Sequence, residues 1–374
     1  MKVLHFFKTY YPDSMGGVEQ VIYQLAEGCR AYGVEAEVLY LSPRGSATAE
    51  PLAHHLTHRA KLDLHIASTG FSWSSLAAFK RLAAQADVIH YHFPWPFMDL
   101  MHFAAHIGKP SVVTYHSDIV KQKQLLRLYQ PLMRRFLGSV DRIVATSPQY
   151  LASSPVLQQF RQKVSVVPLG LDPAGAPAVQ PERLASWRAR LPERFFLFVG
   201  ALRYYKGLHY LLEAVALNGL PVVVLGQGPE EVALKAQAKR LGVSSVIFVG
   251  GLPDDDKAAL LNLCYALVFP SHLRSEAFGV SLLEAALQRK PMICCEIGTG
   301  TSYVNLHEHT GLVVPPQNPE ALSAAMQRLW ASPQTASQWG EQAHARFFEL
   351  FTTQAMAAAY ASIYHDVSRK GDAR

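Results

Sequence analysis

The stretch ALVFPSHLRSEAFGVSLLEAALQ (266–288) passes from a short apolar run, through a polar loop, into a helix-forming segment. Residues 266–270 read as a buried strand, and a helix opens near Phe278, Gly279 and Val280. Glu276 lies ahead of that helix and Glu284 inside it, with seven residues between them. Two carboxylates so placed can hold different parts of one ligand. The helix start offers unpaired N–H groups and a positive dipole end, which suit a phosphate, and Gly279 lets a ligand approach the backbone closely. The competing view is chance spacing of two surface glutamates, and the placement directly after a strand argues against it.

Outward from this segment the same strand–loop–helix unit recurs. RFFLFVG (194–200), PVVVLG (221–226), SVIFVG (245–250) and PMICCE (291–296) read as strands, with helices over 208–217 and 229–241. The first half repeats the pattern with KVLHFF (2–7), EAEVLYLS (35–42), DVIHYHF (87–93), PSVVTYHS (110–117), DRIVATS (141–147) and KVSVVPLG (163–170), and a helix over 18–32. Short Val- and Ile-rich runs alternating with helical lengths indicate α/β domains with parallel, doubly wound sheets. The Pro- and Ala-rich run DPAGAPAVQPERLASW (172–187) reads as part of an exposed linker reaching to about 192. The expected organisation is a domain over 1–175, a second over 190–350 and a C-terminal helix over 353–374 crossing back to the first. In that tail Trp339, Phe347, Phe348, Phe351 and Tyr360 are spaced for burial. At 374 residues two domains are the natural reading, because single cores stop growing near ~250–300 residues.

Apolar residues make up 49% of the chain and charged residues 17%, which excludes a disordered protein. The start MKVLHFFKTYYP reads as a strand rather than a secretion signal, because Lys8 cuts the apolar run, and no run is long enough to span a bilayer. Cys29, Cys264, Cys294 and Cys295 form no C-x-x-C pair, pointing to a reducing cytoplasm. Residues 1–190 carry 20 Lys and Arg against 13 acidic residues, a net +7, whereas residues 191–374 carry 15 against 16. The excess points to an anionic partner for the first half. No RNA-binding pattern of basic and aromatic residues accompanies it, so nucleic acid is set aside in favour of a phospholipid surface or a diphosphate-linked acceptor.

The segment around Glu276 and Glu284 resembles the E-x7-E signature of retaining glycosyltransferases with the GT-B fold, family 4, and the resemblance covers most of the chain. It implies two Rossmann-like domains facing a central cleft and a nucleotide-sugar donor, with Glu276 on hydroxyls of the transferred sugar and Glu284 on the ribose. In FVGALRYYKGL (198–208), Arg203 and Lys206 are the candidate cations for the leaving diphosphate, a role that can replace Mg²⁺; a solvated basic loop is the alternative. Relatives usually carry Arg directly after the Gly. Here Ala201 stands there, which makes Lys206 the firmer assignment.

Gly16 and Gly17, in PDSMGGVEQVIYQLAEG (12–28), form a turn that the family places near the donor phosphate and the acceptor. TYHSD (114–118) carries His116, which resembles the family's sugar-contacting His, and Asp118 at the acceptor side; a structural histidine is the alternative. His5, His90, His92 and His102 are read as core or surface, and no combination has metal-site spacing. Gly226 and Gly228 of LGQGPEE (225–231) are expected to wall the base, and Thr299, Gly300 and Thr301 of EIGTGTSYVN (296–305) to bind the distal phosphate. The GTGTSYVN form resembles bacterial O-antigen and polysaccharide enzymes that handle mannose or rhamnose.

In KQKQLLRLYQPLMRRFLG (121–138), Leu125, Leu128, Leu132 and Phe136 alternate with Lys121, Lys123, Arg127, Arg134 and Arg135 at helical spacing. This is either a basic amphipathic helix on the inner face of the cytoplasmic membrane or a core-facing helix, and Pro131 is expected to interrupt it. The resulting expectation is a retaining hexosyltransferase that needs no metal or other cofactor. It would use GDP-mannose or GDP-rhamnose, with a UDP-sugar as rival, and a glycan or lipid-linked glycan acceptor. A nucleotide-sugar epimerase of the same fold and a non-catalytic glycan-binding partner are the competing readings.

Overall fold

The computed structural model describes residues 1–66, 69–119, 123–175 and 177–372. The chain divides into two compact units, Met1–Gly170 with Thr353–Arg374, and Leu171–Thr352.

In the first unit the strands are β1 (Lys2–Phe6), β2 (Glu35–Ser42), β3 (Ala47–Leu52), β4 (His55–Lys61), β5 (Leu64–Ile66), β6 (Thr69–Phe71), β7 (Val88–Phe93), β8 (Ser111–Tyr115), β9 (Arg142–Ala145) and β10 (Val164–Val166). Eight of them form one sheet in the order β10-β9-β8-β7-β1-β2-β4-β3, and β5 pairs with β6 in a separate hairpin. All pairs in the large sheet are parallel except β3 with β4. The central strands are buried throughout, as expected of a sheet covered on both faces. The C-terminal helix Thr353–Asp372 packs on this unit, burying Met356, Tyr360 and Tyr364 against the sheet and the helix Gly17–Gly28. Ala373 and Arg374 lie outside the described residues.

In the second unit β11 (Phe196–Val199), β12 (Val222–Leu225), β13 (Val246–Gly250), β14 (Ala266–Phe269), β15 (Met292–Cys295) and β16 (Gly311–Val314) pair entirely in parallel. Their order is β13-β12-β11-β14-β15-β16. Relative to the chain this is 3-2-1-4-5-6, the doubly wound order that reverses direction between its first and fourth strands. The core between the sheet and its helices is aliphatic and aromatic, built from residues such as Phe196, Leu212, Val224, Val268, Ile293 and Met326.

Several expectations change. The run read as an exposed linker (172–192) belongs to the second unit and contains the helix Pro181–Arg188, with Ala176 outside the described residues. Trp187 is buried and donates through Nε1 to Asp256, and Arg183 pairs with Asp256 at 2.8 Å, so this helix is docked on Asp254–Leu263. Pro and Ala composition could not reveal that docking. Pro131 does not interrupt its helix, which runs Lys123–Ser139, because Met133, Phe136 and Leu137 anchor the following turn in the core. The apolar stripe expected there splits: Phe136 is buried, whereas Leu125 and Leu128 are exposed. Lys121 lies outside the described residues. Phe348, read as buried, is half exposed, since adjacent helical positions cannot share the inward face that Phe347 takes. Strands β3 to β6 and β16 were not anticipated.

Candidate functional site

Ligands of open parallel sheets bind beyond the C-terminal ends of the strands, where the strand order reverses. In the second unit that point lies between β11 and β14. The loop leaving β11 carries Arg203 and Lys206, and the loop leaving β14 carries Ser271 and Glu276. The two loops touch. Gly207 has φ +70°, and a Cβ there would lie 2.0 Å from the Pro270 carbonyl oxygen, so a residue larger than Gly would push them apart. The amide of His272 also donates to the Tyr205 carbonyl across the same gap.

This contact brings the Lys206 ammonium to 2.6 Å from Glu276 Oε2, and both residues are 9% exposed. The buried Ser271 hydroxyl donates to the same carboxylate oxygen at 3.1 Å, and the ammonium lies over the Phe269 ring at 4.7 Å. Lys206 is therefore no lone cation awaiting an anion. A nearly buried charge needs a partner, and Glu276 supplies it. Arg203 is exposed on the same loop and stands apart from this pair.

Glu284, on the second turn of the helix Val280–Leu287, pairs with Lys257 at 2.8 Å. Lys257 also reaches Asp254 at 2.8 Å. Burial lowers the Lys257 pKa, but the Glu284 and Asp254 carboxylates outweigh it and hold the ammonium above its ordinary value. Lys257 and Ser271 were missed in the sequence. Lys257 stands in no motif and only the sheet topology aligns it with Glu284, whereas Ser271 lies in the same loop as Glu276 but nothing in the sequence marks it over its polar neighbours. Arg274, also missed, donates to the Gly298 carbonyl at 3.0 Å and ties the β14 loop to the β15 loop.

Gly226 and Gly228, expected to wall the base, are packed against neighbouring backbone. A Cβ at Gly226 would lie 1.9 Å from the Gly200 oxygen, and one at Gly228 2.5 Å from the Leu202 oxygen, so these two residues let adjacent strand-end loops close up. Gly279 adopts φ +92°, turning the chain into the helix that Val280 begins. Phe278 is buried against Gly300, where a Cβ would lie 2.4 Å from its ring. The Gly300 amide donates to the Ala277 carbonyl, and the Thr301 hydroxyl to the Cys295 carbonyl, so neither group is available to a phosphate as expected. Thr299 differs. Its hydroxyl is buried and has no hydrogen-bond partner.

The first unit holds the other four expected residues. A Cβ at Gly16 would fall 2.5 Å from Glu19 Oε2, while Gly17 faces open space; Glu19 is buried and accepts from the Thr9 hydroxyl at 2.7 Å. Asp118 Oδ1 accepts from the Tyr115 and Ser154 hydroxyls at 2.8 and 3.0 Å, and the Asp118 amide donates to the Tyr150 hydroxyl. That set of bonds makes Asp118 a staple of its loop. His116 is buried, with Nε2 3.0 Å from His92 Nδ1. His5, His90 and His92, distant in sequence and set aside as a metal group, converge so that ligand nitrogens lie within 4.8 Å. Both nitrogens of His90 and both of His92 are engaged in hydrogen bonds.

Two family profiles match this chain: Glycosyltransferase Family 4 over residues 15–174, and Glycosyl transferases group 1 over residues 179–346. D-rhamnosyltransferase WbpZ of Pseudomonas aeruginosa is 57% identical over 94% of this chain and 92% of its own. The chain is a family 4 glycosyltransferase. This glycosyltransferase is also 49% identical to the O-antigen chain mannosyltransferase C of Escherichia coli, over 97% of this chain and 98% of that one. Among solved structures, the sucrose-phosphate synthase of Thermosynechococcus elongatus superposes with a TM-score of 0.80 at 22% identity, covering 98% of each chain, and shares the GT-B fold.

The buried histidines of the glycosyltransferase make its stability depend on pH. Burial pushes His5 and His116 down to about 3, and burial with mutual repulsion holds His90 and His92 well below the ordinary value. The unfolded chain binds protons near ~6.5, so it carries more protons than the folded chain from there down to the folded values. Stability is complete above that pH and falls as pH drops, by about 1.4 kcal/mol per pH unit for each histidine involved. Urea unfolding of the first unit between pH 7 and 4 should show that slope, and His5→Leu should flatten it; a pH-independent midpoint would contradict the buried neutral cluster.

Proposed function

We propose that the glycosyltransferase moves mannose or rhamnose from a GDP-linked donor to a glycan or lipid-linked glycan in O-antigen assembly, with retention of anomeric configuration and no required metal. The sugar and pathway are supported by the activities for which the two relatives at 57% and 49% identity are named. The mechanism is supported by one observation, the Lys206–Glu276 pair held by Ser271 at the reversal point of the second sheet.

In this reading the donor exchanges partners with the pair. Sugar hydroxyls donate to the Glu276 carboxylate, and the Lys206 ammonium turns to the diphosphate, with exposed Arg203 as a second cation. Glu284 accepts from the ribose hydroxyls, giving up part of its contact with Lys257. His116 contacts the sugar. As the bond from the anomeric carbon to the diphosphate oxygen breaks, the acceptor oxygen bonds to the same face of that carbon. The acceptor proton passes to the leaving phosphate. Negative charge grows on the diphosphate, where Lys206 stabilises it in a site poor in water.

A membrane-facing role is supported by the helix Lys123–Ser139. Leu128 is 82% and Leu125 53% exposed, beside exposed Arg127, Arg134 and Arg135. No helix among the described residues is long and apolar enough to cross a membrane. Leucines entering the headgroup layer with arginines on anionic lipid would hold the enzyme at the surface where a lipid-linked acceptor resides.

GDP with EDTA present should raise the melting temperature, and UDP should raise it less, because a ligand of the native state stabilises by RT ln(1 + [L]/Kd). A larger shift with UDP would reassign the donor, and no shift with either would remove the nucleotide site. Lys206→Ala should lower kcat for transfer about a hundredfold or more while the far-UV spectrum stays native; retained turnover would exclude the proposed charge stabilisation. Cosedimentation with vesicles containing anionic lipid, but not with zwitterionic ones, should be seen and should be weakened by Leu128→Glu; equal recovery of both proteins in the supernatant would rule out the surface role.

A further inference from the structure

The first sheet carries an ordered line of imidazoles of which the proposed reaction uses only His116. Residues two apart on a strand share a face, so His90 and His92 of β7 point the same way, as do Thr114 of β8 and His116 just beyond it. The register sets His5 of β1 beside His90, and His92 beside Thr114. His5 Nδ1 lies 3.1 Å from His92 Nε2, and His92 Nδ1 lies 3.0 Å from His116 Nε2. The rings of His5 and His92, and of His92 and His116, are stacked. The line runs along the C-terminal end of the sheet at the reversal between β1 and β7, where ligands of such sheets bind.

A neutral imidazole has one N–H and one lone pair. His92 spends both nitrogens on other imidazoles, so it must donate to one and accept from the other. Only two neutral arrangements satisfy the line. In one, His5 donates to His92, His92 donates to His116, and His116 carries its proton on Nδ1. In the other every bond is reversed, and His116 offers a lone pair at Nδ1. That nitrogen makes no hydrogen bond among the described residues, and His116 keeps 6% exposure where His5 keeps 1% and His92 none. The open end of the line is His116 Nδ1.

We propose that His5 and His92 are positioning residues, forming a relay that fixes the tautomer and ring orientation of His116 and so decides whether Nδ1 gives or takes the hydrogen bond to a sugar hydroxyl. This rests on the reading above that His116 contacts the sugar. A metal ion among His5, His90 and His92 fits less well. His90 is bonded to the Tyr364 and Thr114 hydroxyls at 2.7 Å each, and Thr114 continues to Tyr360 at 2.7 Å, so an ion would have to break a satisfied buried network. The titratable groups facing the relay are His90 on the sheet and Tyr360 and Tyr364 on the C-terminal helix, with His55 acting on His5 electrostatically.

The test uses the full chain labelled with ¹⁵N-histidine, read by long-range ¹H–¹⁵N correlation alongside transfer kinetics. The wild type should show one tautomer of His116 across about pH 5 to 8, because burial holds the ring neutral well below its ordinary value of ~6.5. His5→Leu touches neither His116 nor any ligand, yet it should mix the His116 tautomers and lower kcat about tenfold with little change in KM for the donor. His92→Phe keeps a ring and removes both bonds, so it should do more. His92→Asn keeps an amide where Nδ1 lies and should recover part of the loss. Wild-type His116 signals in His5→Leu and His92→Asn would overturn the relay, and so would altered signals with unchanged kcat; these two variants suffice if His92→Phe fails to fold. His116→Ala separates the two readings: unchanged transfer in that variant would remove the sugar contact itself while leaving the coupling of the rings intact.

Discussion

The contact of Gly207 with the Pro270 carbonyl is the constraint on which the candidate site depends. It occurs because the second sheet reverses direction between β11 and β14, so the loops that follow them diverge into different helices yet leave the sheet side by side. Without a glycine at that point the loops would separate by more than an ångström, and Lys206 would lose Glu276. The other close glycines repeat the same principle one strand further out. Gly226 admits the Gly200 oxygen and Gly228 the Leu202 oxygen, so three consecutive strand-end loops close into one wall. The glycine-rich character of the segments after the strands thus serves packing of the protein on itself, a function that sequence patterns attribute to ligand approach with equal ease.

The physical periodicities explain what could be read from the sequence. Short Val- and Ile-rich runs separated by helical lengths are unambiguous for a parallel sheet, and the central strands β1, β2, β7, β8, β11, β12, β14 and β15 are each covered by an expected run. Strand β3 was missed because it is the sheet edge, where the half-exposed ATAEPL carries no continuous apolar signal, and β4 because most of the residues it buries, His55, Thr57 and His58, are polar. The helix Pro181–Arg188 was missed for the opposite reason: it owes its place to one buried tryptophan and the pairing of Arg183 with Asp256, and a single residue has no periodicity. Of the site, Glu276, Gly279 and Glu284 in the strand-to-helix segment 266–288 were legible because their neighbours define a local geometry. Ser271 in the same segment was not, because one serine among polar loop residues carries no pattern, and Lys257 was not, because its partnership with Glu284 is fixed by strand order, which a sequence does not print.

The histidines illustrate the same limit and its remedy. VIHYHF places two histidines on one face of a strand, and TYH places Thr114 and His116 likewise, so the alternation was visible. What was hidden is the register that sets β1, β7 and β8 side by side, and with it the line from His5 to His116. A buried imidazole that lacks a partner is costly, so a sequence that keeps four of them in the middle of a sheet must satisfy them together. The C-terminal helix completes that account by supplying the Tyr360 and Tyr364 hydroxyls, which ties Thr353–Asp372 to the polar interior of the first unit.

The two clusters differ in how they treat charge, and that difference follows from what each must do. Lys206 and Glu276 satisfy one another beside a polar loop, and in the proposed reaction they do so until a ligand offers each a better partner, so that donor binding would be an exchange of partners. The gain is then only the difference between the ligand's contacts and those of the pair it opens. Such a site binds the ground state modestly. In the proposed reaction it would hold its cation in place for the moment when charge appears on the diphosphate, which is where a fixed ammonium lowers a barrier. The histidine line is held neutral by burial and has nothing to exchange: its proposed contribution is direction, a hydrogen bond whose polarity would be set one ring away from the ligand. A glycosyltransferase that must grip a polyhydroxylated sugar while stabilising an anion has use for both kinds of order, and this chain builds one in each of its two large sheets.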